Sequence, residues 1–142
     1  MNTRGIRNNN PLNLRYNVRN NWQGRVLLKK DNDFEEFQSM YYGFRAAIRT
    51  IQNYILHHNC NTLAKIIARW APPTENNTDN YIRTVALRAN VGGNENIQPN
   101  DTRLKTIIAQ MAVIESGNGI TDYLDQLDKA WADTPRIVTQ KR

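Results

Sequence analysis

The run Met111-Ala112-Val113-Ile114-Glu115-Ser116-Gly117 places an acid and a hydroxyl at the end of an apolar pattern. On a helical wheel stepped at about 100° per residue, Leu104, Ile107, Ile108 and Met111 fall within roughly 60° of one direction, and Glu115 falls at roughly 20° on the same side. Val113 points the other way. A carboxyl group in that position meets two unfavourable fields: burial disfavours its ionised form, and the helix C-terminus repels an anion. Both favour a group that holds a proton and can give it up, which is the requirement for a general acid near neutral pH. Glu35 and Glu36 are the candidates for a second carboxylate. Two carboxyl groups can divide acid work from base or nucleophile work when held about 5–9.5 Å apart. For both residues an edge-strand charge is the plainer reading. Asn10, Asn13, Trp22 and Gln23 carry amide and stacking groups suited to sugars, though turn chemistry beside Pro11 and packing under a sheet explain Asn10 and Trp22 as well. His57-His58 with Cys60 reads as a frayed helix end rather than a metal or thiol-protease site, and Gly92-Gly93 as a loop. No metal and no cofactor is expected.

The elements that must position these groups divide near residue 39. Before it, Leu12–Tyr16, Arg25–Leu28 and Phe34–Phe37 are short and extended in pattern, separated by Asn20-Asn21 and Asp31-Asn32-Asp33. They predict a small antiparallel β element within residues 10–38. After it the period becomes helical. Ser39 is the expected N-cap of a helix carrying Phe44, Ala47, Ile48, Ile51 and Ile55. A second helix follows Asn61 and carries Leu63, Ile66, Ile67 and Trp70 until Pro72-Pro73 stops it. A third opens at Thr78 or Asp79. A fourth, capped by Asn100 or Asp101, runs to Ser116, where Gly117 and Gly119 end it, and a fifth runs from Thr121 through Trp131. The expected class is α+β: one mainly helical domain over residues 1–142 with the β element near the N-terminus, and loose ends at 1–9 and 134–142.

Composition narrows the function classes. The chain has 142 residues, a formal charge of +6 and one cysteine, which excludes an internal disulfide. Apolar runs are too short to span a bilayer, so no membrane insertion is expected, and no signal peptide is evident after Arg4 and Arg7. Residues 1–30 hold Arg4, Arg7, Arg15, Arg19, Arg25, Lys29 and Lys30 and no acid. Such a face calls for an anionic partner: nucleic acid, a membrane surface or an acidic wall polymer. The 20 asparagines suit turns and sugar contacts alike.

Two stretches carry a resemblance. Ile108–Asn118, an apolar helix ending in Glu-Ser-Gly, resembles the catalytic helix end of lysozyme-like lytic transglycosylases and glucosaminidases. Asn9-Asn10-Pro11-Leu12-Asn13-Leu14-Arg15, Trp22-Gln23-Gly24, Phe34-Glu35-Glu36-Phe37 and Gly43–Ala47 resemble a segment that follows the catalytic glutamate in cell-wall glucosaminidases but here precedes it. Thr78–Val85 is similar to a later helix start in those enzymes. The order found here, with Gly5–Pro11 first and Arg69-Trp70-Ala71-Pro72-Pro73 between, resembles a family of lysozyme-like, wall-degrading bacteriophage and prophage virion proteins over about residues 4–123. The resemblance implies a circular permutation, with Glu115 as the catalytic acid brought back against residues 10–37. It implies that Ser116 orients Glu115, that Tyr81 lines the cleft, and that a transglycosylase would need no second carboxylate. The function it implies is cleavage of the β-1,4 bond between N-acetylmuramic acid and N-acetylglucosamine at the bacterial wall. The protein would come from a virion, or from the host cytoplasm before release. Peptidoglycan strands and other virion proteins are the expected partners. A non-catalytic phage structural protein of this fold is the alternative. A basic nucleic-acid-binding module is the third reading, and it lacks a recognisable groove-reading or stacking motif.

Overall fold

The structure, a computed structural model, describes residues 2–134. Its helices there are α1 (Arg4–Arg7), α2 (Met40–His57), α3 (Leu63–Trp70), α4 (Thr78–Ala89), α5 (Thr102–Ser116) and α6 (Leu124–Asp133), with a 3-10 helix at Asn118–Tyr123. The five helices expected after residue 39 are present at nearly the expected places. The short turn α1 was not anticipated, because residues 1–9 read as a loose end; it is capped by the Thr3 hydroxyl and buries Gly5 and Ile6. The part of the expected C-terminal loose end beyond Thr134 lies outside the described residues.

The antiparallel β element is absent, and the fold class is corrected to mainly helical. Among the described residues no strand forms. The segment makes only two isolated bridges, Arg15 with Phe34 and Arg25 with Phe37. The reason lies in where its backbone donors go. The Leu14 amide donates to Asn10 Oδ1 (2.9 Å), the Arg19 amide to Asn17 Oδ1 (2.9 Å), and the Asp33 and Phe34 amides to Asp31 Oδ1 (2.9 and 3.0 Å). Glu36 Oε2 accepts the Lys30 and Asp31 amides. Short polar side chains thereby satisfy the N–H groups that a ladder would have paired. Asn9 and Asn13 also take left-handed φ values of 53° and 52°, which interrupt any extended run.

The chain forms two compact units. The first comprises residues up to Arg49 together with Met111–Thr134. Its core is built from Ile6, Leu12, Leu14 and Phe37 of the N-terminal segment, Met40, Phe44 and Ile48 of α2, Met111 and Ala112 of α5, and Ile120, Leu127 and Ala130 beyond it. The first turn of α2 is capped from α6, where Gln126 Oε1 accepts the Tyr41 amide at 2.9 Å. The N-terminal segment lies directly on α2. A Cβ at Gly43 would come 1.9 Å from the Asn9 carbonyl oxygen and 2.7 Å from Pro11 Cδ. Alanine favours helix by up to ~1 kcal/mol over glycine, but here the backbone of Asn9 must retreat to admit it. Gly43→Ala is therefore expected to destabilise the protein by about 1–3 kcal/mol, read from the urea midpoint. A variant as stable as the parent would show that the segment does not rest on α2.

A surface clamp closes the segment. Arg4 Nε and Nη2 donate to the two oxygens of Asp31 at 2.7 and 2.8 Å, and Asn8 Nδ2 donates to Asp31 Oδ2 at 2.9 Å. The Arg4 hydrogen bonds, aided by that of Asn8, hold the Asp31 carboxyl well below the usual carboxylate range. A carboxyl depressed in the folded state contributes stability that is complete above about pH 5 and declines as pH falls through its unfolded value, near 3.9, toward the folded one. Because Arg4 is largely exposed, solvent screening makes that contribution small. Between about pH 6 and about pH 3 the parent should lose more stability than Asp31→Asn, measured as the shift in urea midpoint. Equal losses would remove the clamp from the acid response.

The second unit comprises Thr50–Gln110. Thr62 caps α3 by accepting the Lys65 amide, Asn77 caps α4 by accepting the Asn80 amide, and Asn90 ends α4 in a left-handed conformation. Asp101 accepts the Arg103 amide at 2.9 Å and so opens α5. Leu63, Ile66, Ile67, Val85, Ile97 and Leu104 are fully buried. His58 stacks edge-on to Tyr54, and Cys60 Sγ lies against the His58 carbonyl.

Candidate active site

The apolar face of α5 carries burial through Met111 and Ala112, but the last fully buried side chain is Ser116, not Glu115. Glu115 is half-buried. The wheel placed it inside the stripe, whereas the covering N-terminal segment shifts the buried edge by one residue. Gly117, with φ 87°, donates its amide to the Val113 carbonyl at 2.9 Å and ends the helix there.

The N-terminal segment grips this helix end at three points. Ser116 Oγ donates to the Pro11 carbonyl at 2.7 Å. The Thr3 hydroxyl donates to the Ser116 carbonyl at 2.7 Å. Asn13 Nδ2 donates to the Glu115 carbonyl at 2.9 Å. Two of the last four carbonyls of α5, which no helical amide can reach, are thereby satisfied by side chains more than a hundred residues away in sequence. Gly5 sits so close that a Cβ there would fall 2.0 Å from Ser116 Oγ. The backbone that carries Glu115 is thus fixed from both sides.

The expected site residues separate under this geometry. Ser116 donates its hydroxyl hydrogen bond to the Pro11 carbonyl. Asn13 lies at the helix end, with its Oδ1 buried and without a protein hydrogen bond. Asn10 is fully buried and structural: its Nδ2 donates to the Leu14 and Glu35 carbonyls, both at 3.0 Å. Trp22 is half-buried with its indole N–H buried and unpartnered, and Gln23 is exposed. Tyr81 is buried on α4 in the second unit.

Neither Glu35 nor Glu36 presents a free carboxylate. Glu35 is fully buried, and Arg25 donates to both its oxygens, Nε to Oε1 at 2.9 Å and Nη2 to Oε2 at 2.6 Å. The same pairing pushes the Arg25 guanidinium above its ordinary value. Glu36 closes the Lys30–Asp31 turn through backbone amides. Sequence reasoning missed Thr3 and Arg25. The usable signal was Thr3 standing three residues before Ile6, a capping position; Arg25 left none.

No protein-family model matches the chain. Protein P5 of Pseudoalteromonas phage PM2 is 36% identical to it over 130 residues, which is 90% of this chain and 79% of that protein. At that identity and coverage, the chain belongs to the same bacteriophage protein family as Protein P5 of phage PM2.

Proposed function

We propose that this protein cleaves the β-1,4 bond between N-acetylmuramic acid and N-acetylglucosamine in bacterial peptidoglycan, as a lysozyme-like virion or lysis protein, with Glu115 as the general acid. The observation that carries this reading is the fixed helix end. A half-buried glutamate terminates an apolar helix whose backbone is held by Asn13, and whose next residue is locked on Pro11. General acid catalysis needs that kind of positional control, since the proton must reach the leaving oxygen within hydrogen-bond distance. Glu115 protonates that oxygen as the sugar ring takes on oxocarbenium character.

Because Arg25 and the loop amides engage Glu35 and Glu36, the reading favours a route with one carboxylate. There the Glu115 carboxylate, left after protonating the leaving oxygen, takes the proton of the muramic acid 6-hydroxyl as that oxygen bonds to its own anomeric carbon, and a 1,6-anhydro end results. The surplus of positive charge suits an anionic wall, and membership of a phage protein family suits a particle that must open one. Mass spectrometry of sacculi digested by the purified protein tests the proposal. Anhydro-muropeptides support the single-acid route, and reducing ends indicate hydrolysis by a water-activating group elsewhere. No release from several wall types would leave a non-catalytic phage structural protein.

A further inference from the structure

Between Arg25 and Lys30 the N-terminal segment pushes two leucines into solvent. Leu27 is 95% exposed and Leu28 86% exposed, and Val18 on the neighbouring turn is 76% exposed. Arg25 Nη2 ties that turn to the loop through the Asn17 carbonyl at 3.0 Å. The loop does not project for want of restraint. The Val26 amide donates to the Glu36 carbonyl at 2.9 Å, Glu36 Oε2 accepts the Lys30 and Asp31 amides, and Lys29 Nζ donates to the Phe34 carbonyl at 2.8 Å. The backbone on both sides of the leucines is therefore pinned while their side chains stand in solvent.

Cations surround them. Arg7 and Lys30 share an open hollow with Val26 and Leu28, and Arg25 and Lys29, held by Glu35 and by the Phe34 carbonyl, line another with Tyr16 and Leu27. Arg19 is exposed beside Val18. The acids that line these hollows are already engaged, Asp31 by Arg4 and Asn8, and Glu36 by the loop amides.

We propose that this loop is a docking surface for an anionic lipid bilayer, with Leu27 and Leu28 entering the interfacial zone and the exposed Arg7, Arg19 and Lys30 facing the headgroups. A stable protein partner needs on the order of 1,200 Å² or more of complementary surface, which two projecting side chains do not offer. A bilayer needs only apolar groups that reach its acyl boundary and cations that meet its charge. No helix among the described residues is long and apolar enough to cross a membrane, so the contact is peripheral. This goes beyond the expectation of no membrane insertion, and it does not depend on wall cleavage.

The test is co-sedimentation of the full chain with vesicles of equimolar phosphatidylglycerol and phosphatidylcholine, and with phosphatidylcholine alone. Binding is expected to the anionic vesicles only, weakening as salt is raised. Leu27→Ser with Leu28→Ser should weaken it by roughly tenfold or more, and Arg19→Gln with Lys30→Gln should weaken it and flatten its salt dependence. Because all four side chains are exposed, the thermal midpoint should not move, which separates lost docking from lost folding. Failure of the parent to bind, or equal binding by the leucine variant, overturns the proposal. So does a parent that is dimeric by light scattering, becomes monomeric in the leucine variant and ignores vesicles, since the tip would then hold a second copy. Wall digestion is read separately, so failure of either proposal leaves the other standing.

Discussion

Glu115→Gln is expected to lower release of soluble muropeptides from purified sacculi by about 10²–10⁴-fold, the usual contribution of a positioned general acid. Glutamine is nearly isosteric but has no proton to give to the glycosidic oxygen. The backbone hydrogen bond from Asn13 ends on the Glu115 carbonyl, not on its side chain, so the substitution leaves the grip on the helix end in place. The thermal midpoint should accordingly stay close to that of the parent. Glu36→Gln is the matched control. Its side-chain oxygen can still accept the Lys30 and Asp31 amides, so both stability and cleavage should be nearly retained. If Glu115→Gln digests sacculi as fast as the parent, Glu115 is not the acid. The proposal would then fail, because Glu35 and Glu36 are held elsewhere.

Arg25→Met is expected to cost about 3–5 kcal/mol of stability, the range for removing one partner of a buried ion pair. The Arg25 side chain is 21% exposed, but that of Glu35 is completely enclosed, and besides the guanidinium on both its oxygens it accepts only a long bond from the Asn17 amide at 3.4 Å among the hydrogen bonds seen. Methionine keeps much of the packing volume while leaving an uncompensated carboxylate in the core of the segment. The diagnostic is the double variant. Arg25→Met with Glu35→Gln removes the charge that Arg25→Met strands, so it should be more stable than the single variant, a coupling readable from urea unfolding of the four proteins. The recovery is partial, because Arg25 also donates to the Asn17 carbonyl. A single variant within about 0.5 kcal/mol of the parent, as for an ordinary surface change, would show that the pair is not structural. Glu35 would then be available for chemistry.

Several features of this protein were determined by sequence alone, and all of them are local. The helices are legible because apolar spacing and punctuation agree: Phe44, Ala47, Ile48 and Ile51 are all fully or almost fully buried on α2, and Pro72-Pro73 follows Trp70 at the end of α3. The end of α5 at Ser116 was legible from Gly117, whose positive φ the helix terminus uses. The β element was not legible. Alternation in Leu12–Tyr16 describes which side chains are buried, and Leu12 and Leu14 are indeed enclosed, but it does not say which acceptors the backbone will find. Asn10, Asn17, Asp31 and Glu36 provide those acceptors, and pattern has no term for them.

The candidate site divides in the same way. That Glu115 closes an apolar helix is a property of spacing. That Ser116 takes the buried position, that Thr3 and Asn13 cap the last carbonyls of α5, and that Arg25 encloses Glu35 were decided only by tertiary structure. These contacts join residues up to 113 positions apart. Each depends on donor and acceptor meeting at hydrogen-bond distance, which the packing of Ile6, Leu12 and Phe37 into the core of the first unit brings about. A one-dimensional pattern fixes which face of an element is apolar; which polar partner waits on the other side is fixed by what that face packs against.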